Sequence, residues 1–252
     1  MNKNRRQLLT GISLAGAGFV LNGCRATQKG TGGATNEEHK DERPKPGEAT
    51  EVEVTAAEDL MREHGILRRA LLVYQESAVR LRQDAASVPP DALEKTANLF
   101  RVFGEDYHEK SLEEVYIFPT LKKSTNAAAS YVDILLAQHM RGREITEYML
   151  SITKADKIPS NSVESLAKAL ESFVRMYEHH AAIEDTVIFP AWKAVVGDAE
   201  YDQLGEKFEE IETEQFGGDG FETALKRMAE IETSLGLSNL DMFTAPPPPA
   251  TK

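Results

Sequence analysis

Four histidines, His64, His108, His139 and His180, fall at core positions on the apolar stripes of four successive predicted helices. Glu113 and Glu184 follow two of them by about one helical turn. A helical core seldom takes in so many ionisable groups, because each costs several kcal/mol to desolvate unpaired, on the order of 1–5. A metal ion removes that cost. The pattern therefore restricts the chain to a helical bundle built around a metal site. The remaining histidines are His39, in a polar stretch, and His179, beside His180.

The stripes can be followed residue by residue. Thr55-Ala-Ala-Glu58 is a capping box opening the first helix, whose stripe is Leu60, His64, Leu67, Leu71, Tyr74, Ala78 and Leu81. Val88-Pro-Pro-Asp91 ends that helix and starts a second with Leu93, Ala97, Phe100, Gly104 and His108. After Ser124-Thr-Asn126 comes a third with Val132, Leu135, His139, Gly142, Thr146 and Met149. Asn161-Ser-Val-Glu164 is a second capping signal, followed by Val163, Leu166, Leu170, Phe173, Tyr177, His180, Glu184 and Val187. Short connections make neighbours antiparallel, so the fold class is all-α, an up-down-up-down four-helix bundle. Beyond Gly197, acidic amphipathic segments at roughly 199–215 and 221–235, joined by Gly217-Gly-Asp-Gly220, add two C-terminal helices outside the bundle or across its open end.

Helices two and four share a phrase. Glu113-Glu-Val-Tyr-Ile-Phe-Pro119 matches Glu184-Asp-Thr-Val-Ile-Phe-Pro190, each ending in a proline expected to kink or end its helix. Helices one and three each offer a single histidine. The chain thus reads as two helix pairs related by a pseudo-two-fold axis with the site between them.

The expected metal ligands are His64, His108, Glu113, His139, His180 and Glu184. His180 and Glu184 are four apart and share a helix face. His108 and Glu113 are five apart, about 140° on a regular α-helix, and Leu112 takes the slot a ligand should hold. Either a π-bulge near Ser111 absorbs the extra residue, or Glu109 coordinates and Glu113 stands behind it. Equal distances from the two Phe-Pro pairs favour the bulge. Tyr107, Tyr177, His179 and Asp185 are candidates for direct or supporting roles, and Arg143 either bonds a ligand carboxylate or faces water. Trp192, Met140 and Met149 read as packing residues. Imidazole and carboxylate ligands without thiolate suit iron, manganese or zinc, and two bridging carboxylates among four imidazoles point to a pair of irons.

The flanks speak to location. MNKNRRQLLTGISLAGAGFVLNGC has a basic start, an arginine pair (Arg5, Arg6) and an apolar run from Gly11 to Leu21 too short to span a bilayer. The arginine pair resembles a twin-arginine export signal, and Leu21-Asn22-Gly23-Cys24 resembles the lipobox at which bacterial lipoproteins are cleaved and acylated. Cys24 is the only cysteine, so no intrachain disulfide or thiolate metal site is possible. Lipidation there would anchor an exported, envelope-facing protein without a transmembrane helix. Residues 1–24 are thus the signal, 25–54 a polar linker, 55–196 the bundle, 197–237 the accessory helices and 238–252 a proline-rich tail. Loss of Lys3, Arg5 and Arg6 takes the net charge from −12 to −15, which argues against nucleic-acid partners.

Together these segments resemble the hemerythrin-like family, also described as HHE cation-binding domains. The resemblance rests on Glu58-Asp-Leu-Met-Arg-Glu-His64-Gly, on Asp106-Tyr-His108-Glu-Lys with Glu113 and Phe-Pro119, on Gln138-His139 with Gly142-Arg, and on His180 with Glu184-Asp and Phe-Pro190. It implies a four-helix bundle holding two irons with an oxo or hydroxo bridge, manganese being the alternative, and a site for dioxygen, nitric oxide or peroxide. The chain departs from the family's oxygen carriers. Arg143 stands where a second histidine of the third helix would be, and Glu184 replaces an aspartate one place later, which Asp185 could imitate. These departures place it nearer the family's iron and oxygen sensors than its carriers. The expected function is small-ligand binding or sensing rather than catalysis. The alternatives are an oxidoreductase reducing peroxide or nitric oxide with an electron partner, and an iron-binding structural bundle.

Overall fold

The structure, a computed structural model, describes residues 54–249. The expected signal at 1–24, Cys24 and nearly all of the 25–54 linker with His39 lie outside the described residues.

Six long helices, with short 3-10 turns between and after them and no strand, make up the described residues. The first, α1 (Ala56–Gln83), opens on the expected capping box. The Thr55 hydroxyl accepts from the Glu58 N–H at 3.4 Å while the Glu58 carboxylate accepts from the Thr55 N–H at 2.8 Å. Helix α2 starts α-helical over Pro90–Leu99, passes into π-type turns over Phe100–Ile117, and ends α-helical over Phe118–Lys123. Helix α3 is Val132–Thr153. Helix α4 repeats the plan of α2, with Val163–Ile183, a π turn over Glu184–Ile188, and Phe189–Val196. Helices α5 (Asp198–Phe216) and α6 (Gly220–Ser234) follow.

Three local expectations are corrected. Neither Pro119 nor Pro190 ends its helix, because each sits in the first turn of a new α segment, where its missing N–H goes unused. The second capping signal does not form a box. Ser162 makes no side-chain cap, and Glu164 is drawn instead to Arg82 of α1 at 2.9 Å. Met140 is 62% exposed, so of the three proposed packing residues only Trp192 and Met149 are buried.

Helix α1 packs along α4, and α2 along α3. One end of the core between them is apolar, with Tyr74, Phe100 and Phe173 packed edge-on or tilted at 4.8–6.5 Å between ring centroids. The buried histidines and glutamates occupy the other end. Helices α5 and α6 cover α1 and α2 from outside. The Tyr201 hydroxyl accepts the Ala57 N–H at 2.7 Å, Arg69 clasps Glu232, and Phe216 closes over Phe103 and Tyr107. Gly217, at φ 72°, takes the left-handed conformation that ends α5, and Asp219 caps α6 through the Glu222 N–H. Among the described residues no helix is long and apolar enough to cross a membrane.

Candidate metal centre

All six expected ligands converge and all are buried. The π turns of α2 bring this about. In i→i+5 turns the fifth residue comes round beneath the first, so Glu113 returns to the face of His108. Leu112 is turned instead toward α1 and α5, beside Leu60 and Phe208.

The six side chains divide into two positions that share both carboxylates. At the first, His108 Nε2 lies 3.5 Å from Glu113 Oε1 and His64 Nε2 lies 3.5 Å from Glu184 Oε2. At the second, His139 Nε2 lies 3.4 Å from Glu113 Oε2 and His180 Nε2 lies 3.0 Å from Glu184 Oε1. Each glutamate therefore gives one oxygen to each histidine pair. The two Nε2 atoms of the second pair are 3.1 Å apart.

Each imidazole is held from behind. Nδ1 of His64 donates to Asp185 at 2.7 Å, that of His108 to Glu63 at 2.6 Å, that of His139 to Glu114 at 2.9 Å, and that of His180 to Gln138 at 2.9 Å. With Nδ1 carrying the hydrogen, the Nε2 lone pairs face the centre. The pseudo-two-fold runs through this outer layer. The residues preceding His64 and His139 hold His108 and His180, and the residues following Glu184 and Glu113 hold His64 and His139. Arg68 fixes Asp185 at 2.6 Å and Arg143 fixes Glu114 at 2.5 Å. The shared Phe-Pro phrase acquires a role as well. Phe189 stacks on His64 at 5.5 Å and Phe118 on His139 at 5.4 Å, closing one side of the centre with aromatic rings.

Burial dominates the electrostatics. It pushes Glu184 up to about 8, and together with repulsion from the Glu184 carboxylate it pushes Glu113 up to about 7. Burial depresses His64 to about 4 and His139 to about 3, against the pull of Asp185 and Glu114. For His108 burial acts downward too, but Glu113 and Glu63 together outweigh it and hold its pKa well above the usual range. His108 Nε2 and all four oxygens of Glu113 and Glu184 lack a hydrogen bond of good geometry among the described residues. Five orphaned buried donor and acceptor atoms aimed at one point would be costly as they stand. A divalent cation at each position satisfies them, so the residues fit a metal pair.

The other candidates separate clearly. Glu109 stays behind the centre, 3.8 Å from His139 Nδ1, accepting from the Tyr177 hydroxyl at 2.7 Å and from Arg143 at 3.2 Å. Burial raises it to about 8. A Cβ at Gly142 would lie 2.0 Å from the Tyr177 oxygen, so the glycine makes room for that bond. Tyr107 is buried against Phe103 and Phe216, away from the ligands. His179 is exposed on the outside of α4. Arg143 bonds the supporting carboxylates of Glu109 and Glu114 rather than a ligand carboxylate. Sequence reasoning missed the supporting roles of Glu63, Glu114, Gln138 and Arg68. Their signal was present, since each occupies the same offset from a ligand as its counterpart in the other half. A cavity of about 10 Å³, room for roughly one water-sized molecule, adjoins the first position between Leu67, Leu71, Ala181 and Tyr177.

The family model described as "Hemerythrin HHE cation binding domain" matches residues 55–192 and, in a second register, 130–235. The second match begins as far along the chain from the first as His139 lies from His64, which agrees with the internal repeat. An uncharacterized protein of Mycobacterium bovis is 40% identical over 242 residues, covering 95% of this chain and 90% of its own length. An uncharacterized protein of Mycobacterium tuberculosis matches with the same identity and coverage. No solved structure matches the chain.

Proposed function

The chain belongs to the hemerythrin HHE cation-binding domain family, and we propose that it is a non-haem di-iron protein that binds or senses dioxygen, nitric oxide or peroxide. The observation that carries this reading is the sharing of Glu113 and Glu184 between two histidine pairs. A mononuclear site needs no such division of both carboxylates. Helices α1 to α4 form the up-down-up-down bundle that holds it. Two irons held by His64, His108, His139, His180, Glu113 and Glu184 would supply redox chemistry and affinity for a small ligand.

The protein's part is to hold, shape and dry that centre. Glu63, Asp185, Glu114 and Gln138 fix the ring orientations, so the ligands need little rearrangement. Phe118 and Phe189 keep water from one side. The cavity at Leu67, Leu71 and Ala181 limits what enters to molecules of a few atoms.

A second reading, reduction of peroxide or nitric oxide, draws on Tyr177 and Glu109, a hydroxyl–carboxyl pair beside the cavity. Export by the twin-arginine signal and anchoring through Cys24 in the cell envelope complete the proposal. Mass spectrometry of the membrane-extracted protein should find the chain beginning at an acylated Cys24.

Elemental analysis and absorption spectra of the full chain, with and without dioxygen, nitric oxide and azide, test the main reading. Two irons per chain and ligand-dependent bands between iron and its donors support it. A folded chain without metal sinks both the sensing and the enzyme readings. Sustained turnover of peroxide or nitric oxide would favour the second over the first.

A further inference from the structure

The pseudo-two-fold that relates the halves of the centre fails at two places, and one of them lies among the residues that bond the imidazoles from behind. Glu63 precedes His64 and holds His108, while its counterpart Gln138 precedes His139 and holds His180. The rest of the supporting layer is matched. Asp185 with Arg68 stands opposite Glu114 with Arg143, and Phe189 on His64 stands opposite Phe118 on His139. The other break is Glu109, which follows His108 where Ala181 follows His180, and its carboxylate is taken up by the Tyr177 hydroxyl and Arg143 rather than by a ring nitrogen.

The two acceptors differ in charge and in surroundings. The Glu63 carboxylate is 1% exposed and takes the His108 N–H at 2.6 Å. An anionic acceptor in a dry interior draws on that proton and makes Nε2 of the same ring a stronger donor to a metal. Gln138 offers a neutral amide oxygen at 2.9 Å. It also stands in the wall of an open groove of about 710 Å³ with Ser172, Arg175, Met176 and His179, where water competes for the same groups.

Resting on the di-iron reading, we propose that the two metal positions are unequal, and that the His64–His108 position binds its ion first and more tightly because Glu63 backs His108 while Gln138 backs His180. Gln138 is a positioning residue that acts through His180. Changes of such outer partners typically alter metal affinity by about 10–100-fold, and the two positions should differ by a factor in that range.

The test is anaerobic calorimetric titration of the metal-free full chain with ferrous iron. Two steps separated by about 10–100-fold are expected. Gln138→Glu, at a half-buried site that tolerates a carboxylate, should strengthen the weaker step until the two merge. Glu63→Gln should weaken the tighter step by a similar factor. His139→Ala should keep the tight step and His64→Ala should abolish it, which locates the preferred position. Equal affinities, one concerted two-ion step, or a tight step lost in His139→Ala and kept in His64→Ala would overturn the proposal while leaving the di-iron reading standing. Saturation below two ions in the unmodified chain would overturn both.

Discussion

The two ends of the core between α1, α2, α3 and α4 are built on opposite principles. At one end Tyr74, Phe100 and Phe173 pack against aliphatic neighbours, and burial alone favours the arrangement. At the other, four imidazoles and the carboxylates of Glu63, Glu109, Glu113 and Glu184 are equally buried, and burial opposes the charge on nearly every one. The first end holds the helices together whatever is bound. The second leaves buried donors and acceptors without hydrogen bonds, which cations would satisfy. The scaffold's stability and the site's cost are thereby kept apart, which lets a buried cluster of ionisable groups persist in a folded chain.

The sharpest way to break the contrast is Phe173→Ala. It should cost about 3–5 kcal/mol in denaturant unfolding, equally with and without metal, while leaving metal content unchanged. A change in metal stoichiometry would show that the two ends are coupled.

Next comes removal of the metal. With free metal near a thousand times its Kd, chelation should remove about 4 kcal/mol of stability. Glu184→Ala should reproduce most of that loss and drop metal content below one ion per chain, since both positions use its carboxylate. Full retention of two ions in that variant would refute the sharing of Glu184.

Gly142→Ala should cost about 1–3 kcal/mol, because the new methyl displaces the Tyr177 hydroxyl from Glu109. Metal content should stay at two ions, since neither residue is a ligand.

The pH dependence belongs to the polar end, and its sign follows from the raised carboxylates. In the metal-free protein Glu109 and Glu184 at about 8 and Glu113 at about 7 stay protonated near neutrality, whereas the unfolded chain has released those protons above about 4.3. Above about 6.5 the depressed His64 and His139 are neutral in both states and drop out. The folded form then binds about two more protons near pH 7, and the raised His108 adds to that excess, so stability falls as pH rises from about 6.5 to 8, by roughly 2–3 kcal/mol per unit. Metal displaces those protons, so the loaded protein should lose this slope, and melting curves across that range would show it. Finally, Met140→Gln should change stability by less than about 0.5 kcal/mol, as fits an exposed position.

Much of the architecture was legible because it is periodic. The stripes carrying His64, His108, His139 and His180 placed four long helices, and the repeated Phe-Pro phrase disclosed the internal symmetry. The capping box at Thr55 was readable because its bonds are local. The one at Asn161 was misread because Arg82, distant in sequence, takes the glutamate it needed. Met140 misled for a similar reason, since an apolar side chain records composition and not which way its helix is turned. The matched offsets of Glu63 and Gln138, and of Glu114 and Asp185, marked these residues as a set, but which histidine each one holds was hidden because it lies on another helix.

The sequence by itself determined the helices, their apolar faces and the ionisable groups that those faces must bury. It did so because helical periodicity is a local property, written at intervals of three and four residues. The spacing left two ways for the second helix to supply its carboxylate and favoured a π-bulge, and the tertiary structure extends that bulge into π turns over Phe100–Ile117. It alone decided that each carboxylate divides its oxygens between two histidine pairs, and which neighbour grips each ring from behind. Those relations join residues far apart along the chain, and no local spacing encodes a distance across a core.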